Sequence, residues 1–197
     1  MKRVFDLVMV VPGLLVLAPV MLLTALWIKC DSPGKVFFRQ TRVGYGGQPF
    51  QVIKFRTMAE KPETPGIKLT SGDDPRITRA GKWLRKYKID ELPQLINVLK
   101  GEMSLVGPRP EVPEFVELYS EEQKRLIFSV LPGITDRASI EFRHENDLLQ
   151  HAADPVQTYR EKILPVKLQY YTEYVQNRSL WLDVRLIGKT IWSIVIK

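Results

Sequence analysis

The sequence predicts an α/β protein, mainly helical with a small β-hairpin, that carries a long apolar segment at its N-terminus. Three observations lead to this class. An apolar run extends from Val4 to Ile28, two short β-prone runs flank the glycine cluster of residues 44–47, and apolar residues recur at helical spacing in the second half of the chain. The chain leaves about 170 residues after the apolar run, a usual size for one core. We therefore divide it into an anchor, residues 1–29, and one domain, residues 30–197.

The apolar run is long enough to cross a bilayer, which takes roughly 20 residues as a helix. Pro12 and Pro19 lie inside it. An interior proline removes a backbone donor and clashes with the preceding turn, so we expect a kink or a break near Pro19. Two half-helices can then enter the bilayer and return to the same face, although the run alone favours a kinked spanning helix. A secretory signal fits poorly, because the run is too long and no small-residue cleavage site precedes Lys29.

Composition limits the chemistry and the partners. Cys30 is the only cysteine, which excludes an intrachain disulfide and a cysteine metal cluster. Lys and Arg number 29 against 22 Asp and Glu, a formal net charge of +7. This excess indicates anionic partners, such as phosphates, acidic lipids or nucleic acid. No nucleic-acid partner is expected, because the chain lacks an aromatic base-stacking motif.

The remaining elements follow from local patterns. Val36–Arg39 and Phe50–Arg56 are expected to pair as a hairpin, and the proline- and glycine-containing stretch 59–76 is expected to be a loop. Helices are predicted over 78–87, over 91–100, from the capping box at Ser120, and from Asp154 until Pro165 interrupts it. The last segment, Leu180–Lys197, combines tryptophans with a few basic residues. It is either an interfacial amphipathic helix or an ordinary docking helix.

The densest polar cluster is a series of basic residues that leads into Asp90 and Glu91. Its cations are Arg76, Arg79, Lys82, Arg85, Lys86 and Lys88. In one interpretation Asp90 is merely the N-cap of the helix over 91–100, with Pro93 in its first turn. In the other, the cations and the helix N-terminus keep a carboxylate ionised, so that it can act as a nucleophile or a magnesium ligand. Two neighbouring carboxylates can divide these roles.

Two more segments carry cations suited to phosphate. Lys54 and Arg56 lie on the same face at the end of a strand, and Arg109 lies between Pro108 and Pro110. Because prolines restrict the backbone, this guanidinium is suited to a bidentate phosphate contact. Each of these cations alone is more typical of an ordinary surface.

Taken in order, these segments resemble the bacterial sugar transferases, the monotopic phosphoglycosyl transferases. The resemblance covers nearly the whole chain and rests on several ordered motifs. They are Lys2-Arg3-x-x-Asp6 with the apolar segment, Phe38-Arg39-Gln40-x-Arg42-x-Gly44, Lys54-Phe55-Arg56-Thr57-Met58, Asp74-Pro75-Arg76-Ile77-Thr78, Ile89-Asp90-Glu91-Leu92-Pro93-Gln94, Ser104-Leu105-Val106-Gly107-Pro108-Arg109-Pro110 and Pro132-Gly133-Ile134-Thr135.

The resemblance implies transfer of a sugar 1-phosphate from a UDP-sugar to polyprenyl phosphate (undecaprenyl phosphate), with release of UMP. It implies a covalent phosphosugar on Asp90 as nucleophile and Mg²⁺ associated with Glu91. The substrate- and phosphate-binding cations are expected to be Lys54, Arg56, Arg85, Lys88, Arg109 and Arg143. It also implies a re-entrant helix-break-helix at Pro19 and a catalytic domain on the cytoplasmic face of the bacterial inner membrane. This reaction would be the first membrane step of cell-surface glycan assembly.

Two departures from the family pattern matter. Ala18 precedes Pro19 where many members have serine, so no hydroxyl bridges the expected break. After Pro132-Gly133-Ile134-Thr135 the run 136–143 differs from the common family sequence, although Arg143 still matches its final arginine. The sequence therefore leaves open which sugar and which glycan are involved, and whether the protein forms a homodimer. The rival class is a non-catalytic membrane-associated protein that binds a nucleotide or acidic lipid.

Overall fold

The computed structural model describes residues 1–59, 74–143, 145–150, 152 and 154–195. Most of the predicted loop 59–76 lies outside these residues. The helices are α1 (Lys2–Asp31), α2 (Arg79–Lys86), α3 (Gln94–Lys100), α4 (Pro113–Val116), α5 (Glu121–Ile127), α6 (Arg137–Glu141), α7 (Glu145–Gln150), α8 (Pro155–Thr158), α9 (Leu164–Asn177) and α10 (Leu180–Val195). The strands are β1 (Phe37–Val43), β2 (Pro49–Phe55), β3 (Ser104–Val106) and β4 (Gly133–Thr135). This content confirms a mainly helical α/β protein with little sheet.

The predicted hairpin is present and longer than expected. Strands β1 and β2 pair antiparallel, with Phe38 opposite Lys54. The buried side chain of Asn97 on α3 holds this hairpin, because its oxygen accepts from the Ile53 N–H at 3.0 Å and its nitrogen donates to the Gln51 carbonyl at 2.8 Å. Helix α3 is therefore fixed to the strand that carries Lys54.

A second, parallel pair of strands was not predicted. Ser104 lies opposite Gly133 and Val106 opposite Thr135. Three-residue strands are too short to show an alternating pattern, so no sequence pattern predicts them. The two backbones meet closely beyond β3, where a Cβ on Gly133 would lie 2.1 Å from the nitrogen of Gly107. This contact fixes the loop that contains Arg109 beside β4.

Helix α1 corrects the predicted break at Pro19. It is one helix of 30 residues that contains both Pro12 and Pro19. Each proline removes only one backbone donor, and the hydrogen bonds of the neighbouring turns keep the helix continuous. By length and composition α1 can cross a membrane, as no other helix in the described part of the chain can. The structure contains no bilayer, so whether α1 re-enters or spans stays a prediction.

Helix α1 packs against the domain near both of its ends. Near its start, Val10 is buried in an apolar cluster with Val52, Val98 and Met103. Near its end, Ile28 is buried with Phe55 and Leu84. The opposite face is apolar and exposed, with Val16, Val20, Leu23 and Trp27 following one another at helical spacing. Helix α1 therefore lies along the domain and presents an apolar outer face.

The C-terminal half supplies the largest core. Residues of α4, α5, α6, α7 and α9 and of a π-helical turn at Tyr159–Ile163 meet there. The predicted capping box is confirmed, since Ser120 and Gln123 exchange both bonds. Asp154 caps α8 as expected, and Pro165 lies in the first turn of α9.

Helix α10 is amphipathic, as predicted. Its inner face is docked through Leu186 and Asp183, whereas Trp181 is 77% and Trp192 67% exposed. The two interpretations of this segment are thus combined in one helix, one face docked and one apolar face outward. Its contact with lipid stays a prediction.

Candidate active site

The two adjacent carboxylates lie in a short 3-10 turn, Ile89–Glu91, between α2 and α3. Lys88 precedes the turn with φ 56°, in the left-handed region. The predicted N-cap role of Asp90 is wrong, because α3 begins only after Pro93 and no side chain caps it. Proline has no N–H, so the α-helical bonds start beyond it. The Asp90 carboxylate is consequently not used by the helix.

Asp90 is buried without the partners that a buried carboxylate usually has. Its side chain is 9% exposed, and among the described residues its Oδ1 atom has no hydrogen-bond partner. Burial, and secondly the charge of Glu91, raise the pKa of Asp90 to about 6, against the opposing effect of Lys54, Lys88 and Arg85. A buried, unsatisfied carboxylate is costly, and active sites are where such groups concentrate.

Glu91 has the opposite environment. Its Oε1 atom accepts from the Lys54 ammonium at 2.8 Å and also from the Arg109 guanidinium. Burial alone would raise the pKa of Glu91, but Arg109 and Lys54 together hold it well below its usual range. The two neighbours therefore diverge, because the pKa of Glu91 is lowered while that of Asp90 is raised to about 6.

Arg109 follows β3 in the chain, and contacts of its side chain and of its neighbours hold it rigidly beside β4. Its guanidinium donates to Glu91 and, at 3.3 Å, to the Ile134 carbonyl at the β4 strand. Glu91 raises the pKa of Arg109 further above its ordinary value. Pro108 and Pro110 flank it, as the sequence suggested, and Arg42 donates to the Pro110 carbonyl at 3.1 Å. The backbone at both sides of Arg109 is thus fixed.

Besides Arg109, three of the predicted cations lie around the pair Asp90 and Glu91, here called the dyad. Lys54 contacts Glu91 directly, and burial lowers the pKa of Lys54 although Glu91 opposes the shift. Arg85 donates from Nε to the Thr57 hydroxyl at 2.9 Å, and burial lowers its pKa against the attraction of Asp90. Lys88 is exposed, and its charge acts on both carboxylates. The site is therefore a pair of carboxylates within a ring of cations.

Arg56 lies elsewhere and requires a correction. It is 4% exposed, and its guanidinium donates to the carbonyls of Pro33, Ser32 and Ile28 at the end of α1. These bonds fix the backbone where the chain leaves α1. The structure therefore gives this arginine a structural role, and it is unsuited to the phosphate contact predicted for it.

Arg143 is also not placed at the dyad by any described contact. It lies half-buried in the turn after α6, and within the described residues no hydrogen bond joins it to Asp90, Glu91 or Arg109. Its predicted role stays a prediction. The unusual segment before it is well fixed, since Asp136 caps α6 through Ser139 and Arg137 pairs with Glu173 at 3.0 Å.

Three residues that fix the chain next to Arg109 were not predicted from the sequence: Arg42, Glu111 and Tyr159. The buried Glu111 accepts from the Tyr159 hydroxyl at 2.8 Å, and Arg42 lies 3.6 Å from its other oxygen. The Glu111 carbonyl also accepts from the Val43 N–H at 2.9 Å. Arg42 belongs to one of the family motifs, and Glu111 directly follows Pro110 of another. The sequence positions of both residues could therefore have pointed to the site. Tyr159 had none, because its contact spans 48 residues of sequence.

The dyad fits Mg²⁺ only together with substrate. No group of three or more His, Cys, Asp or Glu side chains in the described part of the chain is arranged to hold a metal ion. Mg²⁺ is commonly bound by one or two carboxylates plus the phosphates of a substrate, and keeps several waters. The unpartnered Oδ1 of Asp90 beside an ionised Glu91 supplies donors of that kind. The residues present therefore fit a magnesium ion shared with a diphosphate.

The model of the bacterial sugar transferase family matches residues 1–197, and the chain belongs to this family.

Three relatives illustrate the range of similar proteins. A UDP-N-acetylgalactosamine-undecaprenyl-phosphate N-acetylgalactosaminephosphotransferase of Aeromonas hydrophila is 41% identical over 98% of this chain and 43% of its own length. UDP-glucose:undecaprenyl-phosphate glucose-1-phosphate transferases of Caulobacter vibrioides and Escherichia coli are 39% and 37% identical over 98% of this chain, which corresponds to 69% and 40% of their own lengths. The chain thus spans less than half of two of these three relatives.

Proposed function

We propose that this chain transfers a sugar 1-phosphate from a UDP-sugar to a polyprenyl phosphate through a covalent intermediate on Asp90. The observation that carries the proposal is the pair of neighbouring carboxylates with opposite environments, Asp90 buried and unpartnered, Glu91 ionised between Lys54 and Arg109. The family relatives support the substrate class, because their names specify UDP-sugars and undecaprenyl phosphate.

In the first step Asp90 attacks the phosphorus that bears the sugar. A bond forms between a carboxylate oxygen of Asp90 and this phosphorus, and the bridging bond of the diphosphate breaks, with its electron pair leaving on UMP. In the second step an oxygen of polyprenyl phosphate attacks the same phosphorus and the bond to Asp90 breaks. The product is a polyprenyl diphosphate sugar, and the carboxylate is regenerated.

The cations prepare the site for this chemistry. Arg109 and Lys54 share Glu91, so each can turn part of its donor capacity to the phosphate oxygens when a diphosphate enters. Arg85 and Lys88 add positive potential around Asp90. Mg²⁺, held through Glu91 together with the diphosphate, would neutralise charge on the phosphate oxygens.

The position of α1 supports a one-sided membrane attachment. Asp6 near its start accepts from the Ser104 hydroxyl at 2.9 Å, and Asp31 at its end accepts from the Ala80 N–H at 3.0 Å. A straight helix of 30 residues is about 45 Å long, so a spanning helix would carry one end far from the domain. We therefore propose that both ends of α1 stay on the cytoplasmic side of the inner membrane. The uninterrupted helix would then enter the bilayer through its exposed apolar face and not through a break at Pro19.

Cysteine labelling in intact spheroplasts tests this topology. In a Cys30→Ser background, Lys2→Cys and Lys35→Cys should both be protected from a membrane-impermeant reagent. Labelling of one of the two would identify a spanning helix and contradict the one-sided attachment.

Release of UMP tests the activity. UDP-sugars are screened with the purified chain, polyprenyl phosphate and Mg²⁺, and we expect UMP release with at least one of them. Such a reaction would place this enzyme at the first membrane step of a cell-surface glycan. Binding of UDP-sugars without UMP release for any sugar would instead favour the non-catalytic binding protein.

A further inference from the structure

Helix α2 carries an exposed face that the proposed reaction does not use. Its inner face packs on the domain through Ala80, Gly81 and Leu84, and a Cβ on Gly81 would lie 2.1 Å from the Thr57 carbonyl oxygen. The outer face combines one aromatic residue, 52% exposed, with three exposed cations. These residues are Trp83, Arg79, Lys82 and Lys86.

The aromatic residue of this face continues the apolar outer face of α1. Trp27 ends the series of exposed apolar residues along α1, and its ring contacts that of Trp83 edge-on at 6.1 Å between centroids. Trp83 in turn contacts Tyr87 at 4.4 Å, and the Lys86 ammonium lies 5.5 Å from the Tyr87 ring centroid. The apolar face of α1 thus ends in an aromatic cluster that is bordered by cations.

The order of these surfaces, first apolar, then aromatic, then cationic, matches the layers of a bilayer. Apolar side chains suit the acyl region, tryptophan and tyrosine concentrate at the headgroup level, and lysine and arginine suit anionic headgroups. We propose that the outer face of α2 docks on the anionic headgroup surface of the membrane into which α1 inserts. This inference rests on the proposed membrane attachment, but not on the transfer reaction.

Docking at this face would set the height of the active site above the bilayer. The same short helix carries Arg85 on its inner side, where the guanidinium contacts Thr57 and acts on Asp90. Because α2 is rigidly packed at Gly81, lipid contact on one side of the helix fixes the distance of the dyad from the membrane surface on the other. Helix α2 would then be a positioning element for a lipid-linked acceptor.

Fluorescence quenching of Trp83 in nanodiscs tests the proposal directly. The full chain with Trp27, Trp181 and Trp192 changed to Phe retains Trp83 alone. In nanodiscs with about 30% phosphatidylglycerol, brominated lipids should quench Trp83 at least about twofold more than in neutral nanodiscs, and high salt should remove the difference. Lys82→Glu with Lys86→Glu should lower quenching to the neutral level.

A matched charge reversal serves as the control. Arg160 and Lys162 are likewise exposed, and changing both to Glu alters the net charge by the same amount. This variant should retain the quenching of the parent. Quenching of Trp83 that is independent of phosphatidylglycerol, or equally reduced in both double variants, would overturn the proposal. Protection of Trp83 from aqueous acrylamide that follows protein concentration instead of lipid would identify a second copy as the occupant, and would also overturn it. UMP release, measured separately, reports on the transfer reaction alone.

Discussion

Two buried acidic clusters of this protein differ in how their carboxylates are satisfied. At the start of α1, Asp6 accepts from the Ser104 hydroxyl at 2.9 Å, from the Leu105 N–H at 3.2 Å and from the Lys2 ammonium at 3.3 Å. Nearby, Asp183 accepts from the Tyr174 hydroxyl and from Lys2, both at 2.8 Å. In the dyad, by contrast, Asp90 has a buried oxygen without a described partner.

The difference distinguishes carboxylates that stabilise the fold from a carboxylate that is proposed to react. Burying a carboxylate is unfavourable unless hydrogen bonds and charges replace its hydration. In the first cluster these bonds join α1 to β3 and α10, so the acids fix the anchor to the domain. At Asp90 the cost is left partly uncompensated, which supports the role of nucleophile that we propose for it.

The largest expected effect is that of Asp90→Asn on activity. Asparagine keeps the size but removes the attacking anion, so UMP release should fall by about a thousandfold or more. The melting temperature should stay equal or rise, because an unpartnered buried charge is removed. Steady-state UMP release and thermal unfolding in detergent measure the two. Retained activity in Asp90→Asn would show that Asp90, like Asp6, has a structural role and is not the nucleophile.

Arg109→Lys should have the next largest effect. A lysine keeps the charge but cannot donate to both Glu91 and the Ile134 carbonyl in the fixed geometry of a guanidinium. We expect a loss of about tenfold or more in UMP release. The exposed Arg160→Lys is the control and should leave the rate unchanged. Parent-like turnover in Arg109→Lys would argue that only the charge at this position matters.

The pH dependence should report the raised pKa of Asp90. Because only the ionised form attacks, single-turnover UMP release without acceptor should fall about tenfold for each pH unit below about 6. The sign for stability is opposite. With its pKa raised from the ordinary 3.8, folded Asp90 binds more protons than unfolded Asp90 between about pH 4 and 6, so stability falls as pH rises through this window.

Asp90→Asn should lack this contribution to the pH dependence of stability, which thermal unfolding at pH 4, 5 and 6 measures. A rate that stays level between pH 7 and 4.5 would contradict the assignment of a titrating nucleophile.

The smallest effect on activity is expected for Asp6→Ala. In contrast to Asp90→Asn, this change should lower stability. The change leaves the Ser104 hydroxyl and the Leu105 N–H without their acceptor, which should lower the free energy of unfolding by about 1–3 kcal/mol. Lys2 is partly exposed and adds little to this loss. The rate per folded molecule should change less than twofold or so. Glu117→Ala, at an exposed carboxylate, should leave the melting temperature unchanged and serves as the control.

Much of the fold could be predicted from local patterns. The hairpin, α2, the capping box before α5 and the amphipathic α10 all follow from periodicity and turn residues within one segment. The break at Pro19 was wrong because the neighbouring helical bonds outweigh the one that proline removes. Strands β3 and β4 escaped prediction because their pairing is nonlocal and each has only three residues.

The residues of the site could be predicted from the sequence, but the contacts that hold them in place could not. Asp90, Glu91, Lys54 and Arg109 come together as expected. The role of Arg56 could not be read from the sequence, since an arginine that supplies donors to a helix end looks like any other strand cation. The support of Arg109 by Glu111 and Tyr159 depends on packing of the C-terminal half. Local sequence carries no information on such distant contacts.

The central claim is that Asp90, and not Glu91, forms a covalent bond to the phosphosugar. The chain is incubated with UDP-sugar and Mg²⁺ in the absence of acceptor, and its intact mass is measured before and after addition of polyprenyl phosphate. We predict an increase equal to one sugar phosphate, lost when acceptor is added, retained by Lys162→Glu and absent from Asp90→Asn. An adduct of unchanged stoichiometry on Asp90→Asn, or UMP release by an unmodified protein during a single turnover, would contradict the account.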